Sequence, residues 1–124
     1  MTEIVIEPYS EKYRDDVQKL ILEIQQLEFH IDIDITRQPD LSDIPNFYQT
    51  GKGNFWIARS QNAVFGTIAL LDIGDHQTAL RKMFVDKNLR GSEWRVSEKL
   101  LFTLFDWSKH KGIKEFFWGQ QKNL

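Results

Sequence analysis

The sequence contains no cysteine among its 124 residues. Disulfide scaffolds, zinc ribbons, cysteine nucleophiles and thiol redox chemistry are therefore excluded for this chain. It also lacks a run of about 18 apolar residues, so no segment is expected to span a membrane. The N-terminus has no basic segment followed by an apolar stretch, which argues against a signal peptide. These absences predict a cytoplasmic protein with no membrane partner.

An excess of positive charge is also missing. The chain has 16 Lys and Arg against 18 Asp and Glu, which gives a net charge of -2. A general basic surface for nucleic acid is therefore not expected. The length suits one domain, residues 1–124. Hydrophobic residues at 41% and aromatic residues at 13% provide enough large side chains for a core.

Common catalytic motifs are absent as well, including the P-loop, a strand followed by GxGxxG, GxSxG and HExxH. His76 lies near Asp72 and Asp75, which fits either a loose metal site or a solvated turn. Asp32 and Asp34 fit either a divalent-ion motif or the polar face of an alternating segment. In both cases base rates favour the second reading, so no metal site is predicted.

Hydrophobic periodicity predicts the order strand, two helices, three antiparallel strands, helix and strand. The predicted strands are 3–7, 54–59, 63–71, 78–85 and 113–118, and the predicted helices are 10–27, 40–49 and 92–109. A right-handed crossover through the last helix makes the final two strands parallel. The expected class is α/β (α+β), a mixed, mostly antiparallel sheet with helices packed on it. Residues 30–36 alternate strictly and fit either a strand or a loop with three isoleucines packed down.

The most informative stretch is 83–101, a strand, a short connection through Arg90 and Gly91, and the first turn of an amphipathic helix. Unpaired N–H groups and the positive end of the helix dipole favour an anion at such a place. Two readings follow, a phosphate site and an ordinary helix start. Physical reasoning alone favours the ordinary helix start.

The residues of this stretch resemble the GNAT superfamily of acetyl-CoA-dependent N-acetyltransferases, and the resemblance covers nearly the whole chain. Three pieces are similar to the superfamily's central cofactor-binding segment: Met-Phe-Val-Asp at 83–86, Leu-Arg-Gly at 89–91, and a helix that carries Lys-Leu-Leu and ends in Lys-Gly-Ile. The opening strand and long helix, Asn-Phe-Trp-Ile-Ala and Val-Phe-Gly-Thr-Ile-Ala fit its first half.

The resemblance implies acetyl transfer from acetyl-CoA to a primary amine of a small-molecule or peptide acceptor. It implies that the strand at Met83, Phe84 and Val85 splays from its neighbour and offers main-chain groups to the pantetheine arm. It also implies that the connection and helix start wrap the pyrophosphate. The residues expected there are Arg90, Gly91, Ser92, Arg95, Val96 and Ser97.

The chain departs from the family pattern within that pyrophosphate segment. Ser92 stands at the leading basic position, for which Arg90 is a substitute two residues upstream. Arg95 stands where the family has a glycine that lets the ligand approach closely, and Ser97 replaces Gly or Ala. Arg95 must therefore point away, clamp the phosphates through its guanidinium, or block them.

No strong catalytic base is visible. The acidic residue that the family often has early in the central strand falls near Ala79, which leaves Asp75 and His76 as weak catalytic candidates. Family domains usually continue into another helix and two strands, which commonly supply a Tyr proton donor. The resemblance therefore implies a shortened GNAT-like fold that lacks those elements.

Three functions remain open. The favoured one is an active GNAT-type N-acetyltransferase, and the alternative is a catalytically inactive GNAT-like binding or assembly module. A ligand-binding protein unrelated to CoA would require an accidental resemblance. Asp32 and Asp34 would suit a cationic acceptor such as a polyamine or an aminoglycoside, although a solvated acidic loop is the simpler explanation.

The final predicted strand carries consecutive aromatic residues, Phe116, Phe117 and Trp118. An open apolar edge strand tends to associate with another chain. The expected assembly is a homodimer through the C-terminal strand region, because twofold pairs are the commonest oligomers.

Overall fold

The computed structural model describes residues 3–118, which form one five-stranded sheet in the order β1-β2-β3-β4-β5. The strands are β1 (Val5–Pro8), β2 (Asn54–Ser60), β3 (Ala63–Gly74), β4 (Gln77–Val85) and β5 (Glu115–Trp118). The helices are α1 (Arg14–Glu23), α2 (Pro39–Ser42), α3 (Ile44–Phe47) and α4 (Val96–Lys111). None of the helices described has the length and apolar content needed to cross a bilayer.

The sheet is antiparallel from β1 to β4, and β5 pairs with β4 in parallel. Helix α4 makes the crossover that a parallel pair requires. Gly112 ends α4 in the left-handed conformation, with φ 68° and ψ 32°, as expected of a glycine after a helix. The predicted mixed, mostly antiparallel sheet with helices packed on it is therefore confirmed.

Both faces of the sheet are covered, which explains why residues 55–58 of β2 and 68–71 of β3 are all apolar. Alternate residues of β2 point to opposite faces: Phe55 and Ile57 pack under the α1–α3 segment, whereas Trp56 and Ala58 pack under α4. The first core includes Val17, Ile21, Leu41, Ile44 and Tyr48, and the second includes Ile68, Leu70, Val96, Leu100 and Leu104.

The segment before β2 differs from the sequence prediction. The helix expected over 40–49 is instead two short helices separated by Asp43, whose side chain accepts a hydrogen bond from the Asn46 N–H at 3.5 Å. Pro45 fits the first turn of α3 because that position needs no N–H donor. Residues 30–36 form a loop ending in a 3₁₀ turn at Ile35–Arg37, so the strand interpretation is wrong.

The two long helices begin later than predicted. A 3₁₀ turn at Glu11–Tyr13 precedes α1, and α1 continues into a π-helical segment at Ile24–Glu28. Helix α4 begins at Val96 rather than Ser92, because Arg95 adopts the left-handed conformation with φ 50° and ψ 48°. An L-residue in that conformation cannot continue a right-handed helix.

Strand β4 contains a bulge at Lys82. Arg81 pairs with Ala69 and Phe84 with Thr67, so β4 has one more residue than β3 between these pairs. Lys82 takes a positive φ of 52°. Its carbonyl, displaced from the regular ladder, accepts a 2.7 Å hydrogen bond from the buried Thr67 hydroxyl.

The bulge brings Lys82 into a buried polar cluster formed by Gln25, Gln38, Asp40, Tyr48 and Lys82. The Lys82 ammonium donates to Gln38 Oε1 at 2.7 Å and lies 3.4 Å from Asp40 Oδ2. The Tyr48 hydroxyl donates to the same carboxylate at 2.6 Å, and the Gln25 and Gln38 amides bond to each other. Burial lowers the pKa of Lys82, and the Asp40 charge opposes that effect.

We expect Lys82→Met to destabilise the protein by about 3 kcal/mol, because Asp40 would remain buried without its cation. The matched double variant, Lys82→Met with Asp40→Leu, removes both charges and should recover most of that loss. Urea unfolding of the three proteins measures the difference. A single variant as stable as the wild type would show that the ion pair is not a structural contact.

Candidate functional site

A cavity of about 430 Å³ lies where β4 ends and α4 begins, and we call it the α4 cavity. It is lined by the connection between these elements and by the first turn of the helix. Seven of the nine predicted cofactor-binding residues meet there: Val85, Arg90, Gly91, Ser92, Arg95, Val96 and Ser97.

The floor of the α4 cavity is rich in backbone donors. The helical bonding of α4 starts with the Lys99 N–H, which donates to the Arg95 carbonyl at 3.0 Å. The N–H groups of Val96, Ser97 and Glu98 therefore have no acceptor within the helix. Arg95, at the N-cap position, makes no side-chain capping bond. This N-terminus can bind an anion, because its backbone N–H groups can donate hydrogen bonds and the helix dipole is positive there.

Arg95 lies at the rim of this cavity. Its side chain is 71% exposed, and its guanidinium lies 3.5 Å from the Glu98 carboxylate. Of the three alternatives drawn from the sequence, this geometry favours an outward-pointing side chain. Any contact between Arg95 and a ligand stays a prediction.

Arg90 is occupied by protein partners. Its guanidinium makes two contacts with the Glu28 carboxylate, at 2.6 and 2.7 Å, and its Nε donates to the Val85 carbonyl at 2.8 Å. The hydrogen bond from Arg90 holds the pKa of Glu28 below its usual range. Arg90 thus ties the connection to the end of the first helical segment, and its predicted phosphate contact stays untested.

A second cavity of about 350 Å³, the β4 cleft, lies along the middle of β4. The remaining predicted cofactor-binding residues, Met83 and Phe84, lie here. The other lining residues are Gln25, Phe29, Ile31, Leu80, Arg81, Lys82 and Trp118. Within residues 3–118, β5 pairs with β4 only as far as Leu80, opposite Trp118. Beyond that pair no described strand covers this edge of β4, and an unpaired strand edge can bind the amide groups of an extended ligand.

Asp75 and His76 lie at the tip of the β3–β4 hairpin, where both have a positive φ. The His76 carbonyl accepts a hydrogen bond from the Lys114 N–H at 2.7 Å, and its ring contacts the Lys52 ammonium. The strand from this tip to Met83 is about 20 Å long, since each residue rises about 3.3 Å. The structure therefore brings neither catalytic candidate to the α4 cavity or the β4 cleft.

The other acidic residues singled out in the sequence also lie outside both cavities. The Asp34 carboxylate accepts a hydrogen bond from the Thr36 N–H at 3.0 Å, which begins the 3₁₀ turn. Asp32 is exposed. Within residues 3–118, no three His, Asp or Glu side chains are grouped as metal ligands.

Sequence reasoning missed Arg81 and the polar cluster. Lys82 and Gln25 belong to that cluster and also line the β4 cleft. The only sequence signal was a pair of cations, Arg81 and Lys82, inside an otherwise apolar strand. Such a pair usually marks a solvated face, so the pattern alone did not reveal a buried contact.

Comparisons with known proteins identify relatives of this chain. Residues 15–124 match the model of the acetyltransferase (GNAT) family. A Xenopus tropicalis protein described as probable N-acetyltransferase 14 is 36% identical over 80 residues, which cover 63% of this chain and 38% of that protein. The match thus spans well under half of that relative.

Two bacterial crystal structures have the same fold. A GNAT-family acetyltransferase from Staphylococcus aureus Mu50 is 36% identical, with a TM-score of 0.87 over 94% of this chain and 73% of its own. An acetyltransferase from Streptococcus agalactiae is 29% identical, with a TM-score of 0.88 over 99% of this chain and 78% of its own.

The left-handed conformation of Arg95 leads to a stability prediction. Arg95→Gly should be more stable than Arg95→Ala by about 1 kcal/mol, because glycine adopts this conformation without a Cβ clash. Both variants lose the exposed contact with Glu98, so alanine is the matched control. Thermal unfolding compares them, and equal stabilities would contradict the left-handed start of α4.

Proposed function

Since the chain belongs to the GNAT acetyltransferase family, we propose that it transfers an acetyl group from acetyl-CoA to a primary amine. The acceptor would be a small molecule or a peptide. One observation carries this proposal: the uncapped N-terminus of α4 follows β4, and the edge of β4 beyond Leu80 is unpaired among residues 3–118. A long ligand with an anionic end and an amide-containing arm matches this arrangement.

In this proposal, each cavity has a separate task. The N–H groups of Val96, Ser97 and Glu98 bind the pyrophosphate of acetyl-CoA in the α4 cavity. The backbone of Met83 and Phe84 pairs with the pantetheine arm and directs the activated acyl thioester into the β4 cleft. The cleft then holds the amine close to that thioester, so that much of the catalysis comes from positioning.

The amine must also lose a proton before it can attack. Asp75 and His76 are too distant along β4 to take that proton in the β4 cleft. Their position favours a second candidate function, a module that binds acetyl-CoA without catalysis. The two functions differ in a single measurement, which is amine-dependent release of CoA.

Acetyl-CoA at about 100 times its dissociation constant should stabilise the protein by about 2.7 kcal/mol. The melting temperature should then rise by several degrees. Ser97→Glu places a carboxylate at the α4 N-terminus, which suits the helix dipole but repels pyrophosphate. This variant should remain as stable as the wild type and lose the acetyl-CoA shift. Phe102→Glu is the control, because Phe102 is 72% exposed elsewhere on α4.

The outcomes of this titration separate the candidate functions. No shift at millimolar acetyl-CoA would overturn both acetyl transfer and the binding module. A shift without CoA release in the presence of amines would favour the module. The same titration on Arg95→Gly distinguishes its roles: tighter binding means that Arg95 blocks the phosphates, and weaker binding means that it clamps them.

We also propose that the chain forms a homodimer through its C-terminal strand region. The support is exposed aromatic surface: Trp118 is 61% exposed, and Phe116, 39% exposed, packs edge-on against Phe105. Light scattering should give twice the chain mass, and Trp118→Lys should lower it to one chain. Leu27→Lys is the control, because Leu27 is 72% exposed and is not among the residues that line the β4 cleft with Trp118. A monomer at high micromolar concentration would contradict this prediction.

A further inference from the structure

We propose that the acceptor amine carries an anionic group of the carboxylate type and that Arg81 binds this group in the β4 cleft. This inference rests on the proposed function and specifies its substrate class. It comes from Arg81, a cation in the cleft wall whose charge no carboxylate of residues 3–118 matches.

Arg81 differs from the other arginines near the two cavities. Arg90 is paired with Glu28, and Arg95 is paired with Glu98. Arg81 is half-buried and lines the β4 cleft, immediately before the bulge. Among residues 3–118, its guanidinium takes part in no ion pair or hydrogen bond. Its five N–H donors are therefore available to a ligand.

The charges around the cleft favour an anion. Among the described residues, the lining of the cleft includes Arg81 and Lys82 but no Asp or Glu. Asp40 lies beneath Lys82 and balances its charge, whereas Arg81 has no such counter-ion among the described residues. Arg81 and Lys82 are consecutive residues of β4, and the Arg81 charge adds to the effect of burial in lowering the pKa of Lys82.

The apolar walls of the cleft strengthen the preference for an anion. Phe29, Ile31 and Trp118 provide apolar surface beside the guanidinium, which reduces screening by water. A guanidinium binds a carboxylate through two parallel hydrogen bonds. A polyamine or an aminoglycoside would instead meet like charge here. Asp32 and Asp34, which could offset that repulsion, lie outside the cleft.

The phosphates of acetyl-CoA are the other source of an anion for Arg81. The strand from Arg81 to Val85, at the α4 cavity, spans about 13 Å. Because the uncapped N-terminus of α4 is at that far end, we assign the phosphates to α4 and the acceptor carboxylate to Arg81. The experiment must therefore measure binding of acetyl-CoA and of the acceptor separately.

The test uses three dipeptides: glycylglycine, alanylalanine and glycylphenylalanine. Each is compared with its own C-terminal amide, which lacks the carboxylate charge. Calorimetric titration, with and without CoA, should give at least one pair in which the carboxylate binds about tenfold more tightly than the amide. Arg81→Gln should abolish the difference, and Arg81→Lys should keep part of it. Arg37→Gln, on an exposed arginine outside the cleft, should leave it unchanged.

Three results would overturn the inference. The first is equal or undetectable binding of carboxylates and amides by the wild type at millimolar concentration. The second is an Arg81→Gln variant, folded by its thermal transition, that keeps the preference. The third is weaker acetyl-CoA binding by that variant with unchanged peptide binding, which would assign Arg81 to the cofactor. Failure of the wild type to bind acetyl-CoA would instead overturn the proposed function, because the peptide preference is also measured without CoA.

Discussion

The buried contact between Lys82 and Asp40 holds together the parts of the molecule that form the β4 cleft. Lys82 can reach Asp40 because the bulge gives β4 one extra residue and turns its backbone to a positive φ. Gln38 and Gln25 extend the contact to the segment after α1, and Tyr48 extends it to the end of α3. A charge that is buried in this way requires its partner, so the cluster fixes the position of the loop over the strand.

The arrangement of strands and long helices was predictable from the sequence because it follows from local patterns. Apolar residues at helical spacing identified α1 and α4, and the strand-helix-strand order identified the parallel pair of β4 and β5. The start of α4 was not predictable, because Arg95 adopts a conformation that arginine rarely takes. The alternation in 30–36 was misleading as well: its three isoleucines are only half-buried or exposed, so no sheet face required a strand there.

The candidate site also has a part that the sequence predicts and a part that it does not. Seven predicted residues meet at the α4 cavity because they are close in sequence, and the turn between a strand and a helix must bring them together. The polar cluster joins residues that are far apart in sequence, from Gln25 to Lys82, through a bulge with no recognisable signal. Asp75 and His76 were weak catalytic candidates, which came into question because they lie in the turn before β4. Residues of a strand separate by about 3.3 Å per residue, however, so the turn before β4 is far from Met83 and Phe84 in the β4 cleft.

The two cavities present different donors to the anions that we propose they bind, in a chain whose net charge is -2. At the α4 cavity Glu28 binds Arg90, and Arg95 lies in solvent beside Glu98, so the backbone N–H groups are the available donors. At the β4 cleft the side chain of Arg81 is a donor that has no partner among the described residues, and it lies beside the part of β4 that β5 does not pair. Backbone N–H groups at a helix end bind any anion that fits against them. A single guanidinium beside apolar walls selects its anion by shape. The first arrangement suits a cofactor shared by a whole family, and the second suits an acceptor that differs from one member to another.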